Sequence, residues 1–120
     1  MADKVIKTKS FNFALRIVKL FQFLNQEKKE FVLSKQLLRS GTSIGALVRE
    51  SEQAESKKDF IHKLAIAQKE ANETDYWLEL LFQSDYLNET QFKSIKSDIV
   101  EINKILASII ITTKQKLTSI

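Results

Sequence analysis

The sequence predicts an all-α protein, an antiparallel up-down four-helix bundle, and three observations predict it. The 120 residues contain no proline and two glycines, so the chain has almost no turn vocabulary, which favours long helices over β-rich folds. Apolar residues recur at helical spacing in four segments separated by short polar links. Serine or asparagine stands where several of those segments should begin. Four amphipathic helices on short links pack most simply as an up-down bundle. At this length the whole chain, residues 1–120, forms one domain with a core of its own.

The first helix is expected over about 11–26, with Ser10 as its N-cap. Phe13, Ile17, Leu20 and Leu24 form its seam, and Phe11, Ala14, Leu15, Val18 and Phe21 lie beside it. Together the two rows are wider than the roughly 100° stripe of an ordinary surface helix. The polar stretch "NQEKK" links it to a second helix over 31–53, whose seam is Leu33, Leu37, Ser40, Ile44, Leu47 and Ser51. A third helix, 57–83, opens with Ser56 and Asp59 in a capping-box pattern. Its seam runs Ile61, Leu64, Gln68, Ala71, Asp75, Leu78 and Phe82. The fourth, 89–117, opens at Asn88 with Gln91 three residues on, and its seam is Phe92, Ile95, Ile99, Ile102, Leu106, Ile109 and Thr113.

Both glycines, Gly41 and Gly45, fall inside the second helix, where each costs about 1 kcal/mol relative to alanine. The compensating gain is expected to be close approach of a neighbour. Ala65, Ala67 and Ala71 on the third helix suggest tight contact between helices two and three, or between subunits. A flexible or ligand-lined spot is the weaker reading.

Several classes of function are disfavoured by composition. No cysteine means no disulfide, thiolate nucleophile or thiolate metal site. No segment reaches the roughly 20 apolar residues of a membrane span, and "MADKVIKTKS" lacks the apolar core of a signal peptide. A cytoplasmic protein without a membrane partner is expected. His62 is the lone histidine, beside Asp59; metal-binding bundles need such a pair on two helices, so no metal or other cofactor is expected. Ser40, Thr42 and Ser43 cluster without a base nearby, as helical hydroxyls usually do when they bond the preceding turn. No glycine-rich phosphate loop exists. The reading is non-enzymatic, with no catalytic residues.

Binding surfaces are better supported. The net charge is +4, and its basic excess sits at the ends: residues 1–29 hold seven basic and two acidic side chains, and residues 88–120 five and three. An up-down bundle brings both termini and the link between helices two and three to one end. That end should gather Lys4, Lys7, Lys9, Lys57, Lys58, Lys114 and Lys116, diluted by Glu50, Glu52, Glu55 and Asp59. Repetition of such a surface in an oligomer would raise its affinity for phosphates. The bland alternative is a solvated mixed-charge surface with a frayed lysine tail.

A second apolar group on the third helix, Ile66, Tyr76, Trp77 and Leu80, lies away from the seam. Surplus apolar surface of this kind marks association, and Trp and Tyr are enriched at interfaces. Gln68 and Asp75 are polar seam positions that need partners; Arg39 is a candidate for Asp75.

The stretches "LSKQLLRSGTSIGALVRE" and "SKKDFIHKLAIAQKEANETDYWLELL" resemble the bacterial 23S rRNA intervening-sequence protein family, which is similar to accessory proteins of diversity-generating retroelements. The resemblance covers about residues 10–110. The family's helix-two pattern falls on Gln36, Arg39, Ser43, Ile44 and Glu50, and its helix-three positions on Phe60, Leu64, Ala67, Glu73 and Leu78. Leu47 stands where many members have Asn, and Arg49 where Ala is usual. The resemblance implies a ring-shaped homopentamer without established catalytic activity. The retroelement accessory proteins are basic rings that bind nucleic acid and a reverse transcriptase. The expectation is therefore a non-catalytic homo-oligomer binding RNA or DNA, with RNA the leading class. The alternative is a protein-interaction scaffold that uses the Trp77 and Tyr76 surface.

Overall fold

The computed structural model describes residues 2–118. Four helices account for nearly all of them: α1 spans Ala2–Gln26, α2 Leu33–Ser51, α3 Lys57–Gln83 and α4 Glu89–Thr118. Each helix packs on its neighbours in sequence, α1 also meets α4, and none packs across a diagonal. The result is an elongated up-down four-helix bundle, 54 × 22 × 20 Å.

α1 starts nine residues before the expected boundary. Ser10 is not its cap. It lies mid-helix, 1% exposed, with its hydroxyl donating to the Lys7 carbonyl at 3.3 Å. The buried row reads Ile6, Ser10, Phe13, Ile17, so the 4-3-4 spacing continues through a stretch whose lysines face outward. The N-terminal lysines therefore stand on an ordered helix from Lys4 on, and the frayed-tail alternative fails for them.

α2 is shorter than expected and is capped by a residue the sequence reading passed over. Glu30 precedes the helix, yet its carboxylate accepts the N–H groups of Val32 at 3.1 Å, Leu33 at 2.9 Å and Ser34 at 2.7 Å. The Ser34 hydroxyl donates back to the Glu30 carbonyl at 2.9 Å. These bonds satisfy amides that no helical carbonyl reaches and put negative charge at the positive end of the helix. Phe31 and Val32 are left outside the helix and exposed.

The caps of α3 and α4 follow the sequence. Ser56 Oγ accepts from the Asp59 amide at 3.0 Å, although the Asp59 carboxylate reaches back to the Glu55 amide rather than to that of Ser56. At α4 the exchange is reciprocal: Asn88 Oδ1 accepts from the Gln91 amide and Gln91 Oε1 from the Asn88 amide. α3 ends without glycine. Asp85 takes φ 69°, its amide bonds the Phe82 carbonyl, and the Tyr86 amide bonds the Leu81 carbonyl at 2.9 Å. This is a Schellman ending with Asp in the left-handed position, and Phe82 at the end of α3 stacks against Phe92 at the start of α4, centroids 4.4 Å apart.

On α2, Ser34 and Val48 are buried in place of the expected Leu33 and Leu47, and on α3 the register itself differs. On α3 the buried row is Leu64, Ala67, Ala71, Thr74, Leu78 and Leu81. Gln68, Asp75 and Phe82 stand one position round, half-buried at the flank. Both rows repeat at seven residues, and spacing alone does not choose between them. The core takes the row with the small residues, and Thr74 Oγ1 bonds Ser40 Oγ of α2 across the interface at 3.0 Å.

The glycines serve α1, not α3. A Cβ on Gly41 would lie 2.8 Å from Ile17 Cγ1 and 2.9 Å from its Cγ2; one on Gly45 would meet the Ser10 carbonyl oxygen at 3.3 Å. Ala67 and Ala71 do pack in the core, but Ala65 is exposed.

Two measurements check these contacts. Gly41→Ala should destabilise the protein by about 1–2 kcal/mol, because crowding a fully buried Ile17 outweighs the gain in helix propensity. In combination with Ile17→Ala the penalty should shrink well below the sum, as a double-mutant cycle by chemical denaturation would reveal. Glu30 supplies the second. Burial works to raise its carboxyl, but the amides of Leu33, Ser34 and Val32 and the Ser34 side chain outweigh it and hold the pKa below 4.5. A folded pKa lower than the unfolded one contributes stability above the unfolded value that is lost as pH falls through the folded one. Glu30→Gln should cost about 1–2 kcal/mol at neutral pH, and the deficit should fade in denaturation curves recorded progressively below pH 4.5.

Candidate nucleic-acid and assembly surfaces

The antiparallel path brings the start of α1, the α2–α3 link and the end of α4 to one end of the bundle, and cations collect there from three helices. Lys4 and Lys7 come from α1, Lys57 and Lys58 from the first turn of α3, and Lys114 and Lys116 from the last turns of α4; all six are exposed. They are not equally available. Lys7 pairs with Glu52 at 3.2 Å, and Lys116 is also engaged. Lys9 lies further along α1 and pairs with Glu101 of α4 at 3.0 Å. Among the described residues Lys4, Lys57, Lys58 and Lys114 have no ion-pair partner.

Of the dilutant carboxylates, Glu50 faces Lys63 and Asp59 caps the α3 entry. Among the described residues no group of three or more His, Cys, Asp or Glu is placed to hold a metal ion, and His62 is exposed.

The expected interface patch on α3 is partly covered within the chain itself. Trp77 is half-buried against the core, its Nε1–H donates to Glu73 Oε2 at 3.1 Å, and its ring meets Tyr76 edge-on, centroids 5.0 Å apart. Ile66 and Leu80 are half-buried; Tyr76 is 58% exposed.

A larger apolar stripe stands on α1, where Phe11, Leu15 and Val18 are 47%, 49% and 38% exposed at i, i+4, i+7. This is the outer part of the second row of the over-wide helix; Ala14 and Phe21, nearer α2, are half-buried. The Arg49 guanidinium of α2 lies 5.2 Å from the Phe11 ring centroid, a cation–π distance.

The motif residues of α2 and α3 form an ionic seam. The Arg39 guanidinium bonds Glu70 at 3.1 Å and also Glu73. Glu73 in turn accepts the Trp77 N–H and then Arg39, and these hold its carboxyl below the ordinary value of 4.5. Glu73 raises the Arg39 pKa in return. The expected Arg39–Asp75 pair does not form, because Asp75 lies on the other flank of α3 and meets Lys96 of α4. Ser43 Oγ donates to the Arg39 carbonyl at 2.6 Å, Ile44 is fully buried, Glu50 bridges to Lys63 of α3 at 3.6 Å, and Gln36 is exposed.

The model of the 23S rRNA-intervening sequence protein family matches residues 2–108. The chain belongs to that family. A crystal structure of a protein of unknown function from the S23 ribosomal protein family, from Bacteroides thetaiotaomicron, is similar to it throughout. The two chains are 63% identical with a TM-score of 0.91, over 92% of this chain and 98% of that one. No curated protein matches. Leu47 is half-buried against the core and Arg49 has its Phe11 partner.

No helix among the described residues is long and apolar enough to cross a membrane. Sequence reasoning missed the Arg39–Glu70–Glu73 arrangement, though Glu70, Glu73 and Trp77 share one helical stripe at i, i+3, i+7.

Trp77 is the sole tryptophan, so its fluorescence reads this seam directly. Its emission should change as pH falls through a midpoint below 4.5, while the helical circular dichroism is retained. Glu73→Gln should remove that transition.

Proposed function

We propose that the protein is a non-catalytic, self-associating bundle that binds nucleic acid, RNA in the first place, through cations repeated around an assembly. The observation that carries the reading is the convergence of Lys4, Lys57, Lys58 and Lys114, from three helices, on one end without carboxylate partners among the described residues. A single copy offers few phosphate contacts, and affinity for a polyanion rises with each phosphate neutralised. Self-association multiplies the contacts, and the exposed Phe11–Leu15–Val18 stripe supplies apolar surface that a second copy could cover. The homopentamer implied by the family resemblance is the form proposed. Ile66, Tyr76, Trp77 and Leu80 are the alternative interface, of which Tyr76 offers the most free surface.

Fluorescence anisotropy with labelled RNA and DNA, single-stranded and duplex, is the test. Between about 50 and 200 mM salt the affinity should fall by roughly three orders of magnitude if about six phosphates are neutralised by the assembly. Lys57→Glu with Lys58→Glu should weaken binding at least tenfold. Leu15→Glu should lower both the mass by light scattering and the affinity, since it removes multivalency. Absence of binding at low salt would sink the nucleic-acid reading and leave a protein-interaction scaffold.

A further inference from the structure

Where α1 begins and α4 runs out, the four helices do not close on one another. They leave a cavity of about 550 Å³, within the roughly 300–1,000 Å³ of small-molecule sites. All four helices build its apolar lining: Ile6 from α1, Val48 from α2, Phe60 and Leu64 from α3, and Ile109 from α4. Ile6, Val48, Leu64 and Ile109 are buried core residues, and Phe60 is half-buried. The lining is thus an extension of the hydrophobic core to the surface.

Its charged members have one predominant sign. Among the described residues, Lys4, Lys7 and Lys57 line the cavity with one carboxylate, Glu52, and that carboxylate is taken up by Lys7 at 3.2 Å. Lys4 and Lys57 line it without an ion-pair partner among the described residues. Each hydroxyl makes one local bond. Ser51 donates to the Val48 carbonyl at 2.6 Å, and Ser56 accepts the Asp59 amide at 3.0 Å.

These features narrow the occupant. A sugar or nucleobase needs several directional partners, and beyond the lysines and the Lys7-bound Glu52 the lining offers only Ser51 and Ser56. A bare phosphate has no use for the apolar floor, and a neutral apolar molecule has none for the lysines. We infer that the cavity binds a small organic anion with an apolar body, of the medium-chain carboxylate type. The chain lies on Phe60 and Ala54, in front of the buried Val48 and Leu64, and the carboxylate meets Lys4 and Lys57. The inference does not depend on nucleic-acid binding, although the two ligands would share lysines and compete.

The test is isothermal titration calorimetry of the full chain with sodium decanoate at constant ionic strength, with decanol and inorganic phosphate as controls. Saturable binding of one decanoate per chain is expected, at least tenfold tighter than either control. Lys4→Glu with Lys57→Glu, both exposed and remote from the core, should weaken it at least tenfold. Ala54→Trp should block it; Ala54 lines the cavity from the α2–α3 link, and circular dichroism would verify the fold of each variant. No heat with decanoate, equal binding of decanol or of phosphate, or undiminished binding by the lysine variant would each overturn the proposal. Loss of nucleic-acid binding with decanoate binding intact would leave it standing.

Discussion

The close approach of α1 to α2 is the constraint on which the rest of the molecule depends. Gly41 and Gly45 remove two side chains from the face of α2 that receives Ile17 and the Ser10 backbone. With an ordinary residue at Gly41, Ile17 would have to move, and Ile17 is fully buried at the centre of the core. The propensity lost at two glycines, about 2 kcal/mol together, is offset by an interface in which a β-branched side chain and a helix backbone come into direct contact. Glu30 fixes the other end of the same pair by tying the entry of α2 to the link that leaves α1.

Seating α1 this way sets which of its faces remain outside. The Ile6–Ile17 row is buried, and Phe11, Leu15 and Val18 necessarily point away from the bundle. On its other side α1 meets α4 through a more polar contact, Arg16 with Asp98 and Ser94 and Lys9 with Glu101. Exposed pairs of this sort contribute little individually, so α1 is held chiefly by α2. The unfilled space at the end of the bundle follows from the same geometry. The helices part around Ile6, Val48, Leu64 and Ile109, where the residues that would complete the core are a short link and lysines rather than large apolar side chains.

The α2–α3 interface is organised differently. Its centre is small and partly polar, with Ala67, Ala71 and the Ser40–Thr74 hydrogen bond, and its flank carries the Arg39–Glu70–Glu73 group and Trp77. On that flank Arg39 and Glu73 join α2 to α3. Arg39 sits on α2 as a planar donor that two carboxylates of α3 can share, and the indole N–H finds its acceptor in the same group. A pattern that reads as a signature in sequence is here a device for holding two helices in one register.

The sequence by itself determined the number of helices, their boundaries to within a few residues for α3 and α4, and the seams of α1 and α4. Periodicity and capping residues are local signals, and Ser56, Asn88 and the isoleucines of α4 state them plainly. It also determined that cations from both ends of the chain meet, because antiparallel topology requires it. Tertiary structure decided what depends on which surface faces which neighbour. It extended α1 back to Ala2, because Ile6 has a core to enter that local propensity does not show. It chose Thr74 over Asp75, since both rows repeat every seven residues and only packing separates them. Arg39 therefore went to Glu70 and Glu73, Asp75 to Lys96, and the glycines to α1. Charges and small residues can be counted along a chain, but their partners are fixed by the rotation of each helix about its axis, and that rotation is set by burial of the whole core at once.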